Sequence, residues 1–179
     1  MAVSQSKLMR ASLFLCLLLP ALLHAQTADW PDSRGNAAMT GTSPVELKFP
    51  LELAWQFKLM DKPKGQPEML VSSAVVRNGK VYLGSKDGKF FCLDLVTGKE
   101  IWKTEAKGAF DGAAAFAGEL VVVGCQDGFV YARNADTGKE VWKFETQAEI
   151  HAAANVWTNP ETKAQKIIIG SYDYSIYCL

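Results

Sequence analysis

The sequence is short of three things: charge of one sign, histidine, and long apolar runs. Its 19 Lys and Arg balance 19 Asp and Glu, for a formal net charge of 0. With no basic excess and no basic block, it lacks the electrostatic footprint that phosphate-backbone binding needs, and nucleic acid is not expected as a partner. No stretch has the unbroken apolar length of a polytopic membrane protein. The only histidines are His24 and His151, too few for a two- or three-histidine metal site once the N-terminal segment is set aside. A P-loop, a Gly-x-Ser-x-Gly elbow, a His-Glu-x-x-His motif and a Cys-x-x-Cys pair are all absent, as is any pair of adjacent cysteines. What remains is a globular composition, 49% hydrophobic, 21% charged and 11% aromatic over 179 residues.

The first residues read as an export signal. Lys7 and Arg10 precede an apolar run from Leu13 to Leu23, and Leu23-His24-Ala25 ends in a small residue before a polar stretch. That order is a secretory signal peptide over residues 1–25, cleaved after Ala25. An apolar run of this length reaches only about 17 Å as a helix, short of a bilayer core, so a membrane anchor is disfavoured. Cys16 lies inside the run behind Leu13-Phe14-Leu15, without the small residue that precedes a lipidated cysteine. The expected product is a soluble periplasmic or secreted chain with a net charge of about −2, peripheral to a membrane if it meets one. Cys92, Cys125 and Cys178 would remain. An odd number cannot all pair within one chain, and they are expected as buried small hydrophobes.

Self-comparison exposes a repeat. Gly84-Ser85-Lys86-Asp87-Gly88 and Thr97-Gly98-Lys99-Glu100-Ile101-Trp102-Lys103 recur 40 residues on as Gly124-Cys125-Gln126-Asp127-Gly128 and Thr137-Gly138-Lys139-Glu140-Val141-Trp142-Lys143. A third copy begins at Gly170-Ser171-Tyr172-Asp173, displaced by 46, with the extra residues absorbed around 158–163. A fixed period near 40 signals a repeat architecture. Within one period, turn residues cut the chain into four short expected strands: Val71 to Arg77, Lys80 to Ser85, Lys89 to Leu93 and Lys99 to Glu105. Asn78-Gly79 and Asp87-Gly88 supply tight hairpins, as Asp127-Gly128 does in the second copy. In the third turn Asp94 and Thr97 can bond local N–H groups while Gly98 turns left-handed. Four antiparallel strands in 40 residues, repeated, describe a β-propeller blade. Trp102 and Trp142, each five residues after the turn threonine, are expected to pack over a neighbouring blade's turn.

The two segments Cys92-Leu93-Asp94-Leu95-Val96-Thr97-Gly98-Lys99-Glu100-Ile101-Trp102 and Ala132-Arg133-Asn134-Ala135-Asp136-Thr137-Gly138-Lys139-Glu140-Val141-Trp142 resemble the tryptophan-docking motif of pyrroloquinoline-quinone (PQQ)-like repeat propellers. Cys92 stands where that motif has Ala, and Asn134 where it has Asp. Trp30-Pro31-Asp32-Ser33-Arg34-Gly35 resembles the opening segment of exported members. The resemblance covers nearly all of residues 30–179 and implies BamB-type or quinoprotein-type blades.

The expected layout is a signal peptide at 1–25, a lead-in at 26–52, and propeller repeats over 53–179. Those repeats comprise an outer strand around Trp55, blades near 69–108 and 109–148, and a partial blade at 149–179. The fold class is therefore all-β, an incomplete N-terminal segment of a propeller, with a short form that assembles as an oligomer as the competing idea. By register, Val71, Asp111 and His151 share one blade position, which the resemblance places near the central channel mouth. Asp111 and His151 are thus the candidate ligand contacts; the other reading makes them solvated rim residues with no shared partner. Resemblance does not decide function. An interaction scaffold with a protein partner and no cofactor of its own is expected, the alternative being the N-terminal part of a quinoprotein oxidoreductase using PQQ with calcium.

Overall fold

The computed structural model describes residues 29–36, 40–43, 46, 48–59 and 72–179. The expected signal peptide and Val71 lie outside them. Every regular element among the described residues is a strand. The first sheet has the order β1 (Val75–Arg77), β2 (Lys80–Gly84), β3 (Lys89–Asp94), β4 (Glu100–Glu105). The second repeats it with β5 (Ala115–Ala117), β6 (Leu120–Gly124), β7 (Phe129–Asn134), β8 (Glu140–Glu145). The third holds β9 (Asn155–Thr158), β10 (Gln165–Gly170) and β11 (Ile176–Cys178). All pairings are antiparallel, and the two complete sheets share an irregularity at one repeat position, between Cys92 and Leu93 and between Ala132 and Arg133.

Local chemistry accounts for the turns. Asn78 and Gly79 both take positive φ, 51° and 71°, as a two-residue hairpin turn demands. Asp94 Oδ1 accepts the Thr97 N–H and hydroxyl, both at 2.7 Å, and Asn134 Oδ1 does the same for Thr137 at 2.9 Å. These bonds to Thr97 hold the Asp94 carboxyl below its ordinary range. At the β2–β3 turn Asp87 accepts from Ser85. At the corresponding turns Asp127 accepts the Phe129 N–H and Asp173 the Ser175 N–H.

Strand parity then sorts the side chains. Phe90, Cys92 and Trp102 face the second sheet and pack with Phe110, Phe116, Val121 and Tyr131 in one core. Val122, Val130 and Ala132 face the third sheet and pack with Ile150, Ile167 and Ile169 in the next. Phe91, Leu93 and Val81 point the other way and are covered by Trp55 and Phe57. The sheets are stacked blades, and among the described residues they do not close a ring.

Trp102 donates from Nε1 to the Ala135 carbonyl at 3.0 Å, and its ring lies over Gly138, where a Cβ would approach to 2.7 Å with φ at +71°. Trp55 does the same one sheet earlier, donating to Leu95 O at 2.9 Å and resting on Gly98. The close approach admits only glycine. Three expectations need correction. Residues 51–59 carry no strand, so Trp55 docks from a segment outside the sheets. Trp142 is only half-buried, packed on the edge of the second core. Cys92 and Cys125 are buried, which pushes their thiols up to about 11 and about 12, but Cys178 is exposed. It sits at the register position of Ala132, on a face that the second sheet buries against the third and that no described sheet covers here.

Candidate functional site

The connections at one end of the three sheets bring charged and polar groups into a row. Lys86 and Gln126 stand in the β2–β3 and β6–β7 turns and Tyr172 in the β10–β11 turn, while Asp111 and His151 precede β5 and β9. Turn residues and connection residues alternate because each sheet stacks on the last with the same stagger. Lys86 Nζ reaches Asp111 Oδ1 at 2.5 Å. Asp111 Oδ2 accepts from Gln126 Nε2 at 2.6 Å and meets His151 Nδ1 at 3.0 Å. Gln126 Nε2 also lies 3.3 Å from His151 Nδ1, and Glu149 Oε2 lies 2.9 Å from His151 Nε2. The imidazole stacks on Tyr172 with centroids 4.4 Å apart and planes inclined by 29°.

The electrostatics follow from those contacts. Burial alone would raise the Asp111 carboxyl, but the bonds from Lys86, His151 and Gln126 outweigh it and hold the group below the ordinary carboxylate range. Asp111 therefore stays charged and fixes one imidazole nitrogen while Glu149 fixes the other. With Asp111 and Glu149 at its two nitrogens and Tyr172 against its face, the ring's orientation is set by three neighbours.

The structure brings together Asp111 and His151, which share Gln126 as a partner. Sequence reasoning missed Lys86, Gln126, Glu149 and Tyr172. The signal was present: Lys86, Gln126 and Tyr172 are one register position, displaced by 40 and then 46. The repeat-signature residues Asp87, Gly88, Asp127, Gly128 and Asp173 shape the turns beneath the row. Asp94, Thr97, Gly98, Asn134, Thr137 and Gly138 shape the turns that receive Trp55 and Trp102.

The β10–β11 turn departs from the repeat. Its Tyr174 holds the position of Gly88 and Gly128, adopts φ +67°, and is fully exposed. A side chain there works against the backbone by about 1–2 kcal/mol, and full exposure returns nothing to folding.

A family model described as "Outer membrane protein assembly factor BamB" matches residues 52–175. The curated outer membrane protein assembly factor BamB of Nitrosomonas eutropha is 31% identical over 78 residues, 44% of this chain and 18% of that protein. Among solved structures, the quinohemoprotein alcohol dehydrogenase of Comamonas testosteroni is 25% identical with a TM-score of 0.66, over 85% of this chain and 25% of its own. The quinohemoprotein alcohol dehydrogenase ADHIIG of Pseudomonas putida is 23% identical with a TM-score of 0.67, over 80% of this chain and 23% of its own. The chain thus spans a quarter or less of the length of each of these relatives.

Proposed function

Since the chain belongs to the family described as outer membrane protein assembly factor BamB, we propose that it is an exported propeller segment, peripheral to the membrane, that works as a protein-binding scaffold. The observation that carries this reading is Tyr174, with Tyr172 two residues before it, both exposed at the end of the blades that bears the polar row. Rigid aromatic side chains offer contact area at low entropic cost and anchor many interfaces. The row behind them is tied together by its own contacts from Lys86 through Asp111 and Gln126 to His151, which suits a preformed surface. Residues 1–25 would direct the chain out of the cytoplasm and be removed.

The test uses Tyr174→Gly, which restores the residue of the two earlier repeats. With a photocrosslinking amino acid at position 172 in the native host, the parent protein is expected to give a discrete adduct with an outer-membrane assembly protein. Tyr174→Gly should weaken that adduct while leaving the protein as stable or up to about 1 kcal/mol more so. The same adduct at full yield in Tyr174→Gly, or none in the parent, would refute the reading.

The second reading, the N-terminal part of a PQQ-dependent oxidoreductase, is favoured by the 85% coverage on the Comamonas structure. The polar row by itself does not supply the donor set that cofactor would call for. An anionic tricyclic quinone held through a cation needs converging donors and acidic cation ligands. Lys86, the one lysine of the row, is already neutralised by Asp111. Among the described residues no three His, Cys, Asp or Glu side chains are grouped to hold a metal. Titration with PQQ and calcium, followed by quinone absorbance, is expected to show no saturable uptake. Saturable binding lost in Asp111→Ala or His151→Ala would put the oxidoreductase first.

A further inference from the structure

On the face that carries Phe91 in the first sheet and Tyr131 in the second, the two sheets differ where the repeat should make them alike. In the first, Phe91 and Leu93 are buried under Trp55 and Phe57, whose ring lies 5.4 Å from that of Phe91. Forty residues on, the same positions are Tyr131 and Arg133. The segment that covers them has Trp102 in place of Trp55 but Thr104 and Ala106 in place of Phe57 and Leu59. The smaller cover leaves an open cleft of about 570 Å³ between the two sheets, lined by Ala106, Lys107, Phe129, Tyr131, Arg133 and Lys143 and by three acidic residues. That volume lies in the range of small-molecule sites.

Arg133 is 8% exposed. Its two bonds, Nη1 to Gly138 O and Nη2 to Glu140 Oε2, are both long at 3.3 Å. Its Nε is buried with no partner, as is the hydroxyl of Thr104 in the covering strand. Burying a guanidinium where the repeat places leucine costs desolvation that such contacts repay poorly. The Nε/Nη2 edge is the one that grips a carboxylate with two parallel bonds, and its long contact to Glu140 is the one a ligand carboxylate would replace. Two further features complete the site. The Arg133 guanidinium lies 5.2 Å over the Tyr131 ring, and Lys143 Nζ lies 4.6 Å over that of Phe129. Of the acids, Asp127 is already committed, accepting the Tyr131 hydroxyl at 2.8 Å and the Lys107 N–H at 3.3 Å. Two cations rest on two aromatic rings beside an apolar wall, in a lining whose three cations, Lys107, Arg133 and Lys143, face three acids, Glu105, Asp127 and Glu140.

We propose that this inter-sheet cleft binds a small aromatic carboxylate, its carboxylate on Arg133 and Lys143 and its ring against Phe129 and Tyr131. The site is separate from the polar row and independent of the scaffold reading. The probe is 3-phenylpropionate, titrated calorimetrically into the full chain, with 3-phenylpropionamide as the uncharged control. Wild-type protein is expected to bind the acid saturably and the amide at least about tenfold more weakly, as loss of a charge-assisted bond implies. Arg133→Leu, which installs the residue of the first sheet, should weaken the acid by a similar factor while melting at or above the wild-type temperature. Absence of saturable binding of the acid, equal binding of acid and amide, or equal binding by wild type and Arg133→Leu would each overturn the proposal. The amide comparison needs only wild-type protein and decides the matter should the variant not fold.

Discussion

Replacing Trp102 with alanine should be among the costliest single changes in the chain. The side chain is 9% exposed, lies 5.9 Å from Tyr82 and 6.0 Å from Phe90 between ring centroids, and ties the first sheet to the second through Ala135 O at 3.0 Å. Truncation removes that bond and opens a void that the flanking strands cannot close, for a loss of about 3–5 kcal/mol. The Ala135 carbonyl keeps the Tyr82 hydroxyl at 3.2 Å, so no acceptor is orphaned and nothing need be added for one. Trp102→Phe, which retains most of the ring volume and loses the indole donor, should cost about 1–2 kcal/mol. Trp142→Ala, at the same register position but half-buried, should cost about 1–2 kcal/mol as well. Urea unfolding followed by circular dichroism gives the midpoints and slopes. In a domain of this size, 4 kcal/mol corresponds to a fall in Tm of about 8–16 °C. A wild-type midpoint for Trp102→Ala, or equal losses for Trp102→Ala and Trp142→Ala, would refute the docking account.

Acid should loosen the turns, because the Asp87, Asp94, Asp111 and Asp173 carboxyls are all held below their ordinary range in the folded chain. A depressed carboxylate contributes stability above about pH 4 that is lost as pH falls through its folded value. Asp94→Asn, which copies Asn134, should match wild type in urea at pH 7 and lose less stability than wild type on acidification to about pH 3. A steeper acid loss in Asp94→Asn would contradict this. Mass spectrometry of the exported protein should find an N-terminus at or near Gln26, and an intact Met1 on the mature product would be against the signal-peptide reading. The 179-residue chain should self-associate through the outer face of the third sheet. There Ile168 and Ile176 are exposed at the register positions of the buried Val122 and Val130. Ile176→Asp should shift sedimentation toward monomer, and a monodisperse wild-type monomer would refute the idea.

Much of the fold was legible because its instructions are local. Asn78-Gly79 and Asp94 with Thr97 and Gly98 specify their turns through bonds and dihedral angles within five residues, and alternation along Phe90 to Leu93 assigns each side chain a face. The spacing of 40 residues even paired Asp111 with His151, since identical repeats stacked with identical stagger carry register into space. Only the stacked sheets decided the rest. Whether Trp142 and Cys178 are covered depends on the sheet beyond them, and their own segments resemble buried counterparts. The bonds among Lys86, Asp111, Gln126 and His151 span two to three sheets, so no segment contains them. Tyr174 and Arg133 are visible in sequence as departures from Gly128 and Leu93. That one is held left-handed and exposed and the other buried beside an open cleft are facts of packing, set by how closely neighbouring sheets approach.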